Sequence, residues 1–523
     1  MTKKQKYVIA LTAAIGLFPV ALDLTIVNVA IIPISKALKA DINTIQWISI
    51  AYILANAAMV TLAGYLGSRF GVKRFFSLGL AIFGLCSLLC ALAPDVNWLI
   101  AFRALQGISG GILLPIGMAI ALEPFSKEER SKAAALVFSP VLLAPVIGPI
   151  VGGLIIDNLN WQSIFYVNVP LALLGLIMAW RFLPRDKFEE EAQKSGFDYL
   201  GLLLSTGGIV AVVYAFKLVS QTDPDSKTTL NPQGSIYGWG YGLVWVLLGL
   251  GSLLLIAFAI KALRFSKDPV LDLRLFKSYE FVVSNLINWV SSTVSFGLLF
   301  LIPDFLQAVR LPNMSAVDTG LALVPMGLAT VVGMILGSRL YPLIGARPLV
   351  LAGGALFTIG FWQLSNLTPT TSGSDLWFWL LLLGAGISVT SFTVQILALE
   401  KLNGEALNKG SSLVQSTKLI FGAVGSAVLV TLLYQQTTFH AGQLQAQYAQ
   451  KLSSGTALDP GNPQVQALKQ QLLAQATTSG MNDLFAILAF TSVSLMVIAL
   501  ALPRRKPLDK TAEVEERDHI IAA

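Results

Sequence analysis

Residues 20–31 read VALDLTIVNVAI, an apolar helix-forming run with one ionisable acid, Asp23, inside it. The run belongs to an apolar segment from Tyr7 to Ile34. This segment is too long for the hydrophobic region of a secretory signal and precedes no small-residue cleavage site. A segment of this length crosses a hydrocarbon core of about 30 Å as a single helix. We therefore expect a retained membrane span that carries an acid within the bilayer.

Segments of the same kind recur along the whole chain. Of its 523 residues, 55% are hydrophobic and only 12% are charged, and the mean hydropathy is +0.70. These values predict an all-α polytopic membrane protein, and the lack of ten-residue alternating segments disfavours a barrel. The fourteen predicted spans lie near residues 7–34, 45–66, 75–93, 97–120, 132–156, 162–181, 199–218, 239–261, 280–302, 316–338, 347–365, 376–399, 411–434 and 482–502.

The distribution of charge predicts the orientation of the chain. With both termini in the cytoplasm, the loops and tails on that side hold most of the 36 lysines and arginines, in agreement with the positive-inside rule. The net charge of +7 follows from this orientation, so we predict no nucleic-acid partner. We expect a multi-pass protein of the cytoplasmic (inner) membrane of a bacterium.

The sequence carries no pattern that indicates an enzyme or a cofactor. It has neither a Walker-type phosphate loop nor a nucleophile–base constellation. Cys86 and Cys90 share one span, which excludes a disulfide framework, and they have no histidine or carboxylate partners to complete a metal site. The remaining energy source is an ion gradient, with protons as the expected coupling ion.

A charged linker, FLPRDKFEEEAQKSGFD, follows the sixth span, and two further spans separate it from the last six. This order predicts an N-terminal six-helix bundle over 1–183 and a linker with two extra central spans over 184–279. A C-terminal six-helix bundle then covers 280–510, and a cytoplasmic tail covers 511–523. The external loop 435–481 has apolar residues at helical spacing, so we expect a helical hairpin there.

A second charge lies inside a predicted span. Arg103 opens the stretch RALQGISGG of the fourth span, and at 100° per residue it shares a face with Gly107 and Gly110. Small residues on this face let another helix approach beside the guanidinium. An arginine that snorkels to the membrane surface is the alternative, although charges within spans are usually functional.

The position of Asp23 favours a role in translocation. It lies about 24 Å into its span, past the bilayer centre, and shares a helical face with residues slender enough to leave a cavity beside the acid. Those residues are Gly16, Pro19, Val27 and Ala30. Asn28 points about 140° away and is expected to form a helix–helix hydrogen bond. With Arg103 and Gln106, these two residues form the candidate site; an acid buried only to pair with a neighbouring helix is the alternative.

Two glycine-containing motifs accompany these charges. The linker between spans two and three reads GYLGSRFGVKRF, residues 64–75, in which glycines permit a tight turn beside basic residues. Turn glycines and orientation charges are the simpler interpretation of this motif. The fifth span contains APVIGPIVGG, residues 144–153, a small-residue stripe interrupted by two prolines, which suits a rocking interface.

These motifs carry a family resemblance. LDLTIVNVAI, GYLGSRFGVKR, RALQGISGG and PVIGPIVGG, in this order and in these spans, resemble the major facilitator superfamily, and within it the fourteen-span drug:proton antiporters of the EmrB and QacA type. NWQSIFYVNVP and GLALVPMG look like the same family, so the likeness covers essentially the whole chain. The resemblance implies two six-helix bundles that rock around a central cavity and export an amphiphilic compound in exchange for protons.

The resemblance also implies roles for particular residues. The family's glycine-rich loop stabilises one conformation, its span-four arginine assists proton coupling, and its span-five Gly-Pro motif marks exporters. The loop's role falls on Gly64, Ser68, Arg69, Gly71, Lys73 and Arg74, the coupling role on Arg103, and the antiporter-helix role on Pro145, Gly148, Pro149, Gly152 and Gly153. Ser68 stands where the family usually has an Asp, so this loop departs from the family's charge latch.

The leading hypothesis is therefore a proton-coupled antiporter that exports amphiphilic or cationic drugs or toxic compounds by alternating access. The alternative is a dedicated exporter of one metabolite, lipid, siderophore or amino acid, because fold does not decide cargo. A membrane sensor or scaffold is a third hypothesis. The expected partners are the bilayer and a small amphiphilic substrate, and the loop 435–481 either docks a periplasmic adaptor or caps the cavity.

Other residues are weaker candidates for the transport pathway. Lys418 lies about two turns into the thirteenth span and is a minor candidate, because its side chain can snorkel to the cytoplasm. Several aromatic residues either line a permissive cavity or face lipid and neighbouring helices. These are Trp47, Tyr52, Trp289, Phe296, Phe300 and Phe392.

Overall fold

The computed structural model describes most of the chain. The described residues are 1–40, 42–126, 129–184, 198–219, 221, 223, 236–266, 269–452 and 463–503. Nearly all of them belong to α-helices, as the apolar composition and the need to satisfy backbone hydrogen bonds within a bilayer require. The predicted tail 511–523 and the greater part of the charged linker lie outside the described residues.

Fourteen long helices follow one another along the described part of the chain. Their bounds are α1 Lys3–Leu38, α2 Ile42–Phe70, α3 Val72–Ala91, α4 Val96–Leu122, α5 Arg130–Asn158, α6 Asn168–Phe182, α7 Tyr199–Val219, α8 Gly242–Arg264, α9 Tyr279–Asp304, α10 Ala316–Ile344, α11 Ala346–Leu364, α12 Trp377–Leu399, α13 Gly404–Leu452 and α14 Pro463–Ala499. A short helix, Ser163–Tyr166, precedes α6, and a π-helical turn, Phe305–Val309, follows α9.

The membrane class predicted from the sequence is confirmed. Within the described residues, twelve helices are long and apolar enough to cross a membrane. Helices α5 and α11 are not among those twelve, although α5 contains a shorter apolar helix over Ile147–Asn158. The count of fourteen spans therefore stays a prediction.

The helices pack as two groups of six with a pair between them. Helices α1 to α6 contact one another, as do α9 to α14, while α7 and α8 pack together and α7 lies against α2 and α13. The two groups meet mainly where α5 packs on α10 and where α2 packs on α13. The extra helices α7 and α8 are therefore attached beside the contact between α2 and α13, one of the two main contacts between the bundles.

Glycines set the closest approaches between helices, because a residue without a Cβ lets two backbones come together. A Cβ on Gly107 of α4 would lie 2.3 Å from the carbonyl oxygen of Tyr52 on α2. A Cβ on Gly110 would lie 2.6 Å from the Tyr52 hydroxyl. The prediction that another helix approaches beside Arg103 is confirmed, and that helix is α2.

We call the end of the molecule at which α1 begins the N-terminal face. There Lys6 pairs with Glu129 at 3.2 Å, and the amide of Gly64 on α2 donates to Ser412 Oγ on α13 at 2.7 Å. A Cβ on Gly64 would lie 2.4 Å from the Asn408 carbonyl oxygen. The two bundles are therefore in direct backbone contact at this face.

At the opposite face, α13 and α14 continue as helices over the stretch that the sequence assigned to an external loop. The imidazole of His440 on α13 contacts the carboxylate of Asp483 on α14 at 2.8 Å. The turn between the two helices, 453–462, lies outside the described residues. These extensions place a helical hairpin beside the C-terminal bundle.

Replacing Gly107 with alanine should destabilise the α2–α4 contact, because the new methyl group overlaps the Tyr52 carbonyl. Overpacking of this kind costs about 1–3 kcal/mol. The check is the melting temperature of the purified protein, followed by tryptophan fluorescence. Gly249→Ala on α8 is the matched control, since nothing lies within 4 Å of a Cβ there. Equal melting temperatures for both variants would contradict the packing argument.

Candidate functional site

Asp23 is fully buried on α1 and is held by donors from two other helices. Its Oδ2 accepts from Arg103 Nη1 at 2.5 Å. Its Oδ1 accepts from Gln106 Nε2 at 3.2 Å and from Asn168 Nδ2 at 2.9 Å. Arg103 and Gln106 lie on α4, and Asn168 begins α6. Three donors and one full positive charge therefore stabilise the ionised carboxylate in this conformation.

The guanidinium of Arg103 is equally enclosed. The side chains of Arg103 and Asp23 are only 2% and 0% exposed, so the ion pair is shielded from water. Arg103 also donates to Gln106 Oε1 at 2.7 Å and to the Ile48 carbonyl at 3.3 Å. The ring of Tyr52 covers it at 4.3 Å from centroid to Cζ. These contacts tie α1, α2 and α4 to one buried charge pair.

Gln106 extends the network to α3. Its Nε2 donates to Ser87 Oγ at 2.6 Å, and Cys90 Sγ lies 3.7 Å from its Oε1. Around the pair, three buried polar atoms have no hydrogen-bond partner among the described residues, namely Tyr52 Oη, Asn56 Nδ2 and Asn168 Oδ1. Leaving buried polar groups without a partner costs free energy. These atoms can therefore form additional hydrogen bonds when neighbouring groups move.

The structure brings together three of the four residues of the candidate site and supplies two more, Tyr52 and Asn168. Asn168 belongs to the quoted stretch NWQSIFYVNVP, and its only signal was an amide at the start of an apolar span. The side chain of Asn28 lies outside the described residues. Its predicted role in helix packing is therefore not addressed by the structure.

The expected cavity beside Asp23 is a wrong prediction. The slender face of α1 is filled by neighbouring helices. A Cβ on Gly16 would lie 2.6 Å from the ring of Phe76 on α3. A Cβ on Gly175 of α6 would lie 3.2 Å from the Cα atom of Gly16. Small residues on this face allow tight helix packing, which closes the space that the helical wheel left open.

The glycine-rich motif predicted as a loop is helical at the N-terminal face: residues 64–70 end α2 and residues 72–75 begin α3, so only Gly71 lies outside a helix. Gly71 lies between them with φ +96°, a left-handed conformation that favours glycine. Lys73 Nζ donates to the carbonyls of Trp180 and Leu183 at 2.9 and 2.7 Å, which ties the loop to the end of α6. Arg69 Nη1 donates to Tyr65 Oη at 3.3 Å. Arg74 is exposed, and the side chain of Ser68 lies outside the described residues.

Helix α5 lies between the two bundles, and its glycines contact both. A Cβ on Gly148 would lie 2.1 Å from Thr25 Oγ1 on α1, whereas one on Gly153 would lie 2.5 Å from Val317 Cγ2 on α10. Gly152 is buried, Pro149 is partly buried, and the side chain of Pro145 lies outside the described residues. Within the small-residue stripe, Gly148 therefore packs against α1 and Gly153 packs against α10 of the other bundle.

Arg130, at the start of α5, is an interface residue that sequence reasoning missed. Its Nη1 donates to the carbonyls of Leu399, Glu400 and Leu402 at 3.0, 2.8 and 2.8 Å, and its Nη2 donates to Asn403 Oδ1 at 2.6 Å. All four acceptors belong to the end of α12 or its connection to α13. In the sequence Arg130 has the appearance of an ordinary orientation charge.

A cavity of about 90 Å³ lies inside the C-terminal bundle. Its walls come from α9, α10, α12 and α13, and include Phe296, Ser295 and Lys418. Of the aromatic candidates, Phe296 lines it, while Trp289 stacks on Phe421 at 4.4 Å. Lys418 faces this cavity rather than snorkelling to the surface. A hollow of about 160 Å³ at the N-terminal face, lined in part by Arg274 and Lys401, is remote from Asp23.

The family can now be established by comparison. Residues 13–426 match the family model described as Major Facilitator Superfamily. The chain belongs to this superfamily. The resemblance inferred from its motifs is confirmed, and a superfamily of transporters agrees with the expectation of a non-enzyme.

Several curated relatives of this major facilitator protein carry names that refer to resistance or export. It is 28% identical to the multidrug resistance protein B homolog of Mycobacterium tuberculosis over 94% of this chain and 88% of that protein. It is 28% identical to the multidrug export protein EmrB of Escherichia coli, covering 90% of this chain and 86% of that one. It is 30% identical to the fatty acid resistance protein FarB of Neisseria gonorrhoeae, covering 83% and 82%.

Solved structures share the fold at low sequence identity. The proton:xylose symporter XylE matches 97% of this chain and 98% of its own with a TM-score of 0.62 at 12% identity. The human organic anion transporter MFSD10 matches with a TM-score of 0.55 at 14% identity, covering 94% of this chain and all of its own. The two-bundle major facilitator fold expected from the sequence is therefore confirmed.

Arg103→Met and Asp23→Asn should each destabilise the protein, because each single change leaves a buried group without its charge partner. Breaking a buried pair costs about 3–5 kcal/mol, whereas removing both charges is often tolerated. The double variant should therefore lose less stability than the sum of the single variants. Unfolding of all four proteins in one detergent completes the cycle. Additive losses would show that the pair does not couple α1 to α4.

Proposed function

We propose that this protein is a proton-coupled exporter of amphiphilic compounds that works by alternating access. The observation that carries the proposal is the Asp23–Arg103 pair, at 2.5 Å and almost completely buried within membrane helices. Ionisable groups in such positions are costly and mark ion pathways in membrane proteins. The name of the relative EmrB, a multidrug export protein, supports the direction of transport.

The network suggests how a proton changes the conformation. Protonation of Asp23 removes the negative charge that faces Arg103, while the guanidinium keeps its contacts with Gln106, the Ile48 carbonyl and the Tyr52 ring. The attraction between α1 and α4 then weakens, and the unpartnered atoms of Tyr52 and Asn168 become available as substitutes. Proton binding therefore favours a different packing of α1 against α4 and α6.

The movement that this change drives is a rocking of the two bundles. They are joined through α5 and α10 and through α2 and α13, and at the N-terminal face Arg130 and Gly64 hold the ends of α12 and α13. We assign the N-terminal face to the cytoplasm, following the distribution of lysine and arginine. The described conformation is then closed toward the cytoplasm at these contacts.

The helical hairpin formed by the ends of α13 and α14 is assigned to the periplasmic side in this orientation. We propose it as the docking surface of an adaptor protein. Removal of residues 440–478 should then abolish co-purification of the adaptor while leaving transport in proteoliposomes intact. Loss of transport in proteoliposomes without any adaptor would instead favour a cap over the cavity.

Asp23→Asn should abolish coupling, because an amide cannot exchange a proton over the working pH range. The measurement is substrate-induced proton release from the purified protein, together with substrate uptake into proteoliposomes under an imposed pH gradient. Asp375→Asn, at an exposed position before α12, is the matched control and should behave as the wild type. Undiminished proton release from Asp23→Asn would overturn the proposed mechanism.

Arg130→Ala should open the N-terminal face, because it removes four hydrogen bonds between the bundles. The readout is maleimide labelling of a cysteine placed at the buried residue Ser411, in a background that lacks Cys86 and Cys90. We expect a several-fold increase in labelling rate. Arg339→Ala is the control, because Arg339 is exposed and lies close to the C-terminal end of α10. An unchanged rate in Arg130→Ala would exclude its role in closing this face.

A further inference from the structure

The cavity of about 90 Å³ in the C-terminal bundle has an ionisable group, the Lys418 amine, in its wall. Lys418 contributes to its lining and lies about 21 Å along α13 from the start of that helix. Gly404–Leu444 is long and apolar enough to span a membrane, and Lys418 lies within this stretch. Helices α10 and α13, which help to form the cavity, also contact the N-terminal bundle. The cavity therefore lies close to the interface at which the bundles move.

No carboxylate among the described residues pairs with Lys418. Among the described residues, each ion pair involves other groups, and no side chain or carbonyl accepts a hydrogen bond from the Lys418 ammonium. The buried lysine Lys409 on the same helix shows the contrast, because it pairs with Glu405 at 2.5 Å. A charged group in a bilayer normally finds a partner. Lys418 faces a cavity instead.

Hydroxyl groups surround the same space. Ser295 Oγ is buried without a hydrogen-bond partner, and it lines the cavity together with Ser292, Ser391 and Thr330. The Ser292 and Thr330 hydroxyls donate to helix carbonyls at 2.6 and 2.8 Å, and Ser391 Oγ lies 3.4 Å from Ser291 Oγ. The Ser295 hydroxyl has no hydrogen-bond partner among the described residues. One ammonium and one free hydroxyl are donors that suit an acceptor such as an anionic oxygen.

The rest of the wall is apolar. Phe296 and Leu299 are exposed on α9, and Met326 and Ile387 come from α10 and α12. Their side chains contact hydrocarbon favourably, and methionine adapts its shape to different ligands. The lining thus combines one positive pole with an apolar surface.

We propose that this cavity binds the head group of an anionic amphiphile, with Lys418 and Ser295 as donors to the anion and Phe296, Leu299 and Met326 against its apolar body. The inference rests on the proposed export function and specifies its substrate class. A cation would be repelled by an ammonium group that no described carboxylate balances, and in a low dielectric this repulsion is strong. A carboxylate or sulfonate instead neutralises the charge that the fold leaves unpaired.

A matched pair of ligands tests this substrate class. The probes are 4-(1-pyrenyl)butanesulfonate and 4-(1-pyrenyl)butyltrimethylammonium, which share an apolar body and differ in the sign of a permanent charge. Binding is followed by pyrene fluorescence with the full-length protein in nanodiscs of uncharged phosphatidylcholine, and empty nanodiscs give the background. The wild type should bind the sulfonate more tightly than the ammonium compound.

Variants of Lys418 test whether this lysine causes the preference for the sulfonate probe. Lys418→Gln should weaken sulfonate binding about ten-fold, the size of one charge-assisted hydrogen bond, and should not weaken binding of the cation. Lys418→Arg should retain the preference. Lys217→Gln, at a half-buried lysine on α7 that does not line the cavity, is the control and should bind both probes as the wild type does. Equal binding of the two probes, or equal effects of the Lys418 and Lys217 variants, would overturn the inference.

A second arm separates this inference from the proposed function. Both probes are tested for uptake into proteoliposomes driven by a pH gradient, with Asp23→Asn as the uncoupled reference. Driven uptake without a preference for the sulfonate would leave the export function standing and refute the anionic substrate class. If neither probe binds and neither is taken up, both the export function and the anionic substrate class are refuted.

Discussion

The buried ion pair between Asp23 and Arg103 is the interaction on which the rest of the N-terminal bundle depends. A carboxylate and a guanidinium removed from water are stable only when their attraction and further hydrogen bonds offset the loss of hydration. Here Gln106, Asn168 and the ring of Tyr52 supply those contacts. Four helices are therefore positioned by one charge pair, and in the proposed mechanism a change in its protonation alters how they pack.

Glycines make this arrangement possible by letting the surrounding helices approach closely. Gly107 admits the backbone of α2 beside Arg103, and Gly148 admits Thr25 from the helix that carries Asp23. The same helix α5 contacts the other bundle through Gly153. In the proposed mechanism, a displacement near the acid is transmitted to the bundle interface through the close contacts of α5 with α1 and α10, as a rigid-body movement of packed helices.

The sequence predicted the helices and the two charges, because apolar length and an ionisable residue within a span are local signals. It grouped Asp23 and Arg103 in one candidate site but could not show their direct contact, since they are 80 residues apart and only tertiary packing brings them together. The expected cavity beside Asp23 was wrong, because a helical wheel cannot show that α3 and α6 fill a slender face. Lys418 and Arg130 were undervalued for a related reason: a lysine in a cavity and an arginine across an interface have the same local sequence as ordinary orientation charges.

The central claim is that Asp23 changes its protonation state when substrate binds. Infrared difference spectroscopy measures this directly, since the C=O stretch of a protonated carboxylic acid is distinct from that of a carboxylate. Addition of substrate at constant pH should produce a carboxylic acid difference band that is missing in Asp23→Asn and retained in Asp375→Asn. A spectrum without such a band, or one in which the band survives in Asp23→Asn, would contradict the account.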